Sequence, residues 1–272
     1  MRTFILIFSL GIGAAWAQDA DRVTVPFTDP SRPHTLKVHL INGGITVKGY
    51  DGKEAIIETR GAGRDGDDRH SRRAPRGAEG MKRIENTSLG LTAEEEDNVL
   101  TIGMRPNRDT DVVIQVPVNT SLKLSCVNGG DISVDRISGE IEVNNVNGGV
   151  TLTNVSGSVI AHALNKNVVV KLNQITPEKS MSFSSLNGDI DVTLPADTKA
   201  RIKLKTDNGE IYTDFDVRLD PSARQPVVED GRSNRGKYRV RIDRAMYGTI
   251  NGGGPEFQFQ TFNGNVYIRK AK

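Results

Sequence analysis

Cysteine is all but missing from this chain. Cys126 is alone among 272 residues, which excludes an intramolecular disulfide framework and any metal site built from several thiolates. Aromatic residues make up 5%, too few for a broad sugar- or base-stacking surface. Charge of one sign is missing too. The 36 basic and 34 acidic residues leave a net +2, which gives no overall positive field of the kind nucleic-acid binders use. Beyond the N-terminus no apolar run approaches the roughly 18 residues of a membrane helix. What is abundant is glycine, 28 residues of it, and short β-type alternation.

The N-terminus has the three parts of an export signal. Met1-Arg2-Thr3 is positively charged, Phe4 to Ala15 is mostly apolar, and Ala15-Trp16-Ala17 is a small-x-small cleavage site. Residues 1–17 are therefore expected to be removed, and the product to be exported to the periplasm, the outer surface or the medium. The mature chain would then have no transmembrane segment, leaving peripheral membrane contact open. It would also lose its only tryptophan. Cys126 is expected to pack as a small apolar residue.

A nine-residue beat runs through 130–174: GDISVDRIS, GEIEVNNVN, GGVTLTNVS, GSVIAHALN, KNVVVKLNQ. The third column holds Ile132, Ile141, Val150, Val159 and Val168. The fifth holds Val134, Val143, Leu152, Ala161 and Val170. Residues two apart share one face of a strand, so both columns are expected inside as aligned ladders. The eighth column (Ile137, Val146, Val155, Leu164) is expected to resume that face after a polar bend at Asp135-Arg136, Asn144-Asn145 or Thr153-Asn154. Self-similarity at a fixed period marks a repeat architecture.

A longer unit recurs outside this block: an alternating strand, Asn-Gly, then a second alternating strand. Its corners are Asn42-Gly43, Asn128-Gly129, Asn147-Gly148, Asn187-Gly188, Asn208-Gly209 and Asn263-Gly264. Asn-Gly favours a tight turn. A row of hairpins fits such corners, but only stacked coils require the same apolar columns in the same phase. The expected fold is all-β: a right-handed β-solenoid of short repeated strands with Asn-Gly and Ser-Gly corners. An antiparallel sandwich is the alternative. Residues 18–272 are expected to form one domain with polar insertions at 61–80 and 216–237. The strands at Tyr238–Ile242 and Phe257–Ile268 are expected to cap it.

The export signal, the Asn-Gly corners and the G-x-[IV]-x-[VLIT] strands resemble the bacterial putative-adhesin family, a domain of unknown function, over about 35–60 and 100–270. The resemblance implies a surface β-repeat protein and transfers no catalytic residue or ligand.

Candidate chemistry is sparse. His34, His39, His70 and His162 lack metal-ligand spacing, and His162 is expected to face outward at a corner. Asp131, Glu140 and Glu142, or Asp189, Asp191 and Glu210, are possible acid/base pairs or calcium ligands, as well as ordinary solvated strand positions. Asn251-Gly252-Gly253-Gly254-Pro255 reads as a turn, since neither a Lys-Ser/Thr pair nor a helix pattern follows. In 61–80, Arg64, Arg69, Arg72, Arg73 and Arg76 are nearly balanced by Asp65, Asp67, Asp68 and Glu79. No catalytic, cofactor or metal residue is assigned, and no cofactor is expected. The leading expectation is a non-enzymatic cell-envelope protein, adhesin-like or an interaction scaffold, whose partner is an envelope protein or glycan and not nucleic acid. A carbohydrate-binding or polysaccharide-degrading β-helix is the alternative, recognisable by facing carboxylates or a stacked Tyr212, Tyr247 or Tyr267. An envelope stress or signalling accessory is the second alternative.

Overall fold

A computed structural model describes residues 22–61, 91–104, 110–221, 227–231, 237–241 and 245–272. The export signal and nearly all of the 61–80 insertion, including His70, lie outside them. The described residues form no α-helix, and none offers a helix long and apolar enough to cross a membrane.

In chain order the strands are β1 (Arg22–Pro26), β2 (His34–Asn42), β3 (Ile45–Tyr50), β4 (Glu54–Gly61), β5 (Leu91–Glu96), β6 (Val99–Met104), β7 (Thr110–Pro117) and β8 (Thr120–Asn128). Next come β9 (Ile132–Asp135), β10 (Ser138–Asn145), β11 (Val150–Ala163), β12 (Val168–Ile175), β13 (Met181–Ser185), β14 (Ile190–Leu194) and β15 (Ala200–Asn208). The last are β16 (Ile211–Thr213), β17 (Val217–Leu219), β18 (Val227–Gly231), β19 (Lys237–Arg241), β20 (Met246–Ile250), β21 (Glu256–Asn263) and β22 (Val266–Lys270).

Most pairings are parallel and join strands about one coil apart, giving a solenoid-like wrap. One ladder runs β6, β2, β8, β10, the second half of β11, β13, β21, β15. The other runs β7, β3, β9, the first half of β11, β12, β14, β22, β16. Each coil therefore has two strands, one per ladder, and the nine-residue row is half a coil. The expected single column Ile132, Ile141, Val150, Val159, Val168 is in fact two. Ile132, Val150 and Val168 are register partners in one ladder, and Ile141 and Val159 in the other. All five are buried in one continuous core.

Two strands per coil also correct the eighth column. Ile137 and Val155 are buried, but Val146 and Leu164 are only half-buried. Alternate rows end at opposite corners, and only one corner turns this position inward. Arg136 (φ 57°) and Asn154 (φ 53°) do bend the chain there. Asn144-Asn145, expected as a third bend, lies within β10, and Asn145 is fully buried.

The stack does not follow chain order. Coil 34–50 lies between 99–117 and 120–135. Coil 256–270 lies between 181–194 and 200–213. The C-terminal strands are thus an inner coil and not the expected cap, because their phenylalanines complete the core. Phe259 stacks on Phe183 at 5.1 Å between centroids, and both are fully buried. Antiparallel strands close the ends instead: β5 on β6, β4 on β7 with β1 on β4, and β20 on β15 with β17 on β20. Covering sheet edges this way blunts aggregation. β18 and β19 form a separate hairpin, so Tyr238 belongs to that hairpin and not to a cap on the stack.

At one end His34 is buried against Phe27, ring centroids 4.3 Å apart, with no normal hydrogen bond to either ring nitrogen. Burial lowers its pKa, only partly opposed by Asn119, Asp29 and Glu95. His162, half-buried on β11, is lowered by burial as well.

Two outcomes are expected. Val143 is buried between its register partners Leu124 and Ala161. Val143→Asp should cost about 3–5 kcal/mol as an uncompensated buried charge, read by denaturant unfolding. Histidines whose folded pKa lies below the unfolded value near 6.5 leave the unfolded state binding more protons, so stability should fall as pH drops below that value. His34→Leu should make the stability-versus-pH profile shallower between about pH 7 and 5; an unchanged slope would refute this role.

Candidate interaction surface

The Asn-Gly corners stack into one edge of the solenoid, held by three sets of side-chain bonds. The outermost is an amide ladder. Nδ2 of Asn147 donates to Oδ1 of Asn128 at 3.1 Å, Asn165 to Asn147 at 2.8 Å and Asn187 to Asn165 at 3.0 Å. Asn263 then donates to Asn187 at 2.9 Å and Asn208 to Asn263 at 2.9 Å. Neighbouring rungs are 19, 18 and 22 residues apart in the middle of the chain, then 76 and 55 where the last coils are threaded out of order. The register sets Asn42 beside Asn128. Every amide points the same way, so each bond polarises the next.

Inside this edge, at five of the corners, the residue two before the asparagine ties down a carbonyl of the adjacent coil, whereas Leu40 and Ala163 hold that place before Asn42 and Asn165. Cys126 Sγ donates to Gly43 O at 3.0 Å, Asn145 Nδ2 to Gly130 O at 3.2 Å and Ser185 Oγ to Lys166 O at 2.9 Å. Thr261 Oγ1 donates to Gly188 O and Thr206 Oγ1 to Gly264 O, both at 2.9 Å. Cys126 is thus a buried small residue, as expected, and a hydrogen-bond donor as well. At the start of the second strand, Asp131 accepts from Gly149 N, Asn167 from Asp189 N, Asp189 from Asn265 N and Asn265 from Glu210 N, at 2.7–2.9 Å.

These bonds account for the carboxylates singled out in the sequence. Asp131 and Asp189 hold backbone amides. Glu140 pairs with Lys179 at 3.2 Å and Glu142 with Lys123 at 3.3 Å, both on the other ladder's outer face. Asp191 grips Arg269 at 2.8 and 3.0 Å, and Glu210 accepts from the Tyr212 hydroxyl. Asp131 is therefore not brought together with Glu140 and Glu142. No cluster of three or more His, Cys, Asp or Glu side chains suited to a metal occurs among the described residues. His162 lies within β11, one residue before its end, its Nδ1 2.8 Å from Ser184 Oγ. His39 lines a shallow groove of about 290 Å³ together with Lys37, Lys123 and Glu142. Residues 251–255 form the turn between β20 and β21, with Asn251 Nδ2 on Thr198 O at 2.8 Å.

One surface feature escaped the sequence reading. The residue just before each corner asparagine points out, and along the stack these residues are Ile41, Val127, Val146, Leu164, Leu186 and Phe262. Asp207 ends the row beside Phe262. Ile41, Leu186 and Phe262 are 37%, 40% and 45% exposed. At a strand spacing near 4.8 Å the apolar stripe is about 24 Å long, flanked on one side by the amide ladder. An ordered apolar row on a rigid scaffold is the kind of patch that marks contact with a partner. Its signal was available as an aliphatic or aromatic residue directly before the asparagine at each of these six corners.

Residues 128–251 match the family model described as Toastrack DUF4097. That match bears out the resemblance to the bacterial putative-adhesin family, whose function is unknown. The chain is also similar to the crystal structure of a putative cell adhesion protein from Clostridium sporogenes, at 12% identity and a TM-score of 0.47, over 92% of this chain and 99% of that one. It is similar to a putative adhesin from Bacteroides fragilis, at 13% identity and a TM-score of 0.32, over 93% and 98% of the two chains. A putative adhesin from Parabacteroides merdae gives 10% identity and a TM-score of 0.25 over 93% and 98%. No curated protein matches the chain.

The amide ladder makes a specific prediction. In Asn165→Asp a carboxylate would meet the Asn147 carbonyl oxygen where an N–H now donates. The variant should lose about 1–2 kcal/mol at pH 7. It should recover part of that loss as pH falls and the acid regains a donor proton, as measured by urea unfolding at pH 7 and pH 4.

Proposed function

We propose that this chain is an exported, non-enzymatic envelope protein that works as an adhesin-like interaction scaffold. The observation carrying the reading is the apolar stripe along the Asn-Gly edge, exposed at Ile41, Leu186 and Phe262 and half-buried at Val127, Val146 and Leu164, although the inward apolar columns are buried. A rigid stack holds the stripe in place before any partner arrives, so little ordering entropy opposes contact. The Toastrack match and the N-terminal signal pattern support the same reading. The non-enzymatic part is supported by the structural engagement of each candidate carboxylate. We infer right-handed coils, because parallel crossover connections overwhelmingly take that hand.

The test uses beads coated with the full chain and bacterial envelope fractions. Leu186→Lys with Phe262→Lys changes two exposed side chains, so the melting temperature should stay within about 2 °C, as surface substitutions do. Retention of envelope material should fall by roughly tenfold or more, a loss of about 1.4 kcal/mol. Undiminished retention by the folded double variant would remove the stripe as the contact.

A further inference from the structure

The stacked tyrosines form an unfinished column on the outer face of the second ladder. Tyr267 on β22 has two register partners, Asp191 on β14 and Tyr212 on β16. On the Asp191 side its ring is covered by the Arg269 guanidinium, 5.2 Å from the centroid and held in place by the two bonds to Asp191. On the other side lies the Tyr212 ring, 5.3 Å away with its plane tilted by only 8°. Among the described strands β16 pairs with β22 alone. The order guanidinium, ring, ring therefore ends at Tyr212, which is 49% exposed.

Polar groups end at the same coil. Among the described residues Asn208 is the terminal rung of the amide ladder, its Nδ2 donating to Asn263. The Glu210 carboxylate sits beside the Tyr212 ring and accepts the phenol proton. An exposed aromatic face with a carboxylate at its edge complements a ring that is apolar on its face and carries hydroxyl donors at its edge.

We propose that the Tyr212 ring face is a stacking platform for a pyranose ring of a glycan, with Glu210 accepting its hydroxyl protons. A planar cation would fit the ring as well, drawn by the Glu210 carboxylate, and competition by arginine amide distinguishes it from a sugar. Tyr247 takes no part, since it lies on β20 with Lys203 over its ring. The site does not depend on the apolar stripe, which runs along a different edge.

The experiment titrates the full chain with tetrasaccharides of β-linked N-acetylglucosamine, β-linked glucose and α-linked glucose, read by calorimetry. A single platform should give weak binding, so at least one probe should saturate at millimolar concentration. Tyr212→Ala should weaken it about tenfold without lowering the melting temperature, whereas Tyr212→Phe should stay within about threefold, because ring stacking and not the hydroxyl carries the contact. Tyr247→Ala and the Leu186→Lys, Phe262→Lys double variant should bind as wild type, which separates this site from the stripe. Failure of every sugar to saturate by ~10 mM, equal binding by Tyr212→Ala, or displacement of the sugar's place by arginine amide alone would overturn the proposal.

Discussion

Everything in this molecule follows from one constraint: each coil must lie within β-sheet hydrogen-bonding distance of the next, at corners as well as along strands. On a flat strand this is easily met, since side chains leave the sheet plane. At a corner the chain turns, and a Cβ can point straight at the neighbouring coil. A Cβ on Gly188 would sit 2.3 Å from the Lys166 backbone, and one on Gly148 2.2 Å from Gly130 O. Glycine at these two positions is a matter of contact between coils, not of backbone dihedral, for neither has a positive φ. Once the corners are in contact, their carbonyls are shut away from water. The row Cys126, Asn145, Ser185, Thr261, Thr206 then follows, because buried acceptors without donors are costly.

The same spacing explains why the chain can be threaded out of order. A coil fits wherever its two strands, its corner asparagine and its inward donor match those above and below. Segment 256–270 meets these conditions between 181–194 and 200–213, with Asn263 between Asn187 and Asn208 and Thr261 donating to Gly188 O. Segment 34–50 is seated at the other end by its two strands and by Asn42 beside Asn128, with Leu40 in the inward place. Both insertions bring distant parts of the sequence together, which ties the first and last described coils into the stack and favours a single cooperative unit over independent repeats.

Function is carried by what this economy leaves on the surface. The amide ladder and the donor row satisfy polar groups within the stack, and the exposed ion pairs Lys123–Glu142 and Lys179–Glu140 add little stability at such wet positions. The apolar stripe satisfies nothing inside the molecule. Nor does the outer face of Tyr212. These two features, one along the corner edge and one at the end of the tyrosine column, are the places where the structure offers binding energy outward.

Strand positions, the all-β class, the inward apolar columns and the turn at 251–255 were legible in the residues, because alternation and turn chemistry are local. Neither the two-strand coil nor the outward direction of Val146 and Leu164 was legible. A nine-residue period looks the same whether successive rows lie side by side or on opposite faces, and only the pairing of Val150 with both Ile132 and Val168 separates the cases. The sequence by itself determined which residues turn, which alternate and which asparagines recur. Tertiary structure alone decided which coil lies on which, hence that Tyr212 and Tyr267, 55 residues apart, stack, and that six scattered apolar residues form one line. Local propensity acts over a few residues, whereas coil order is chosen by the fit of whole coils to one another.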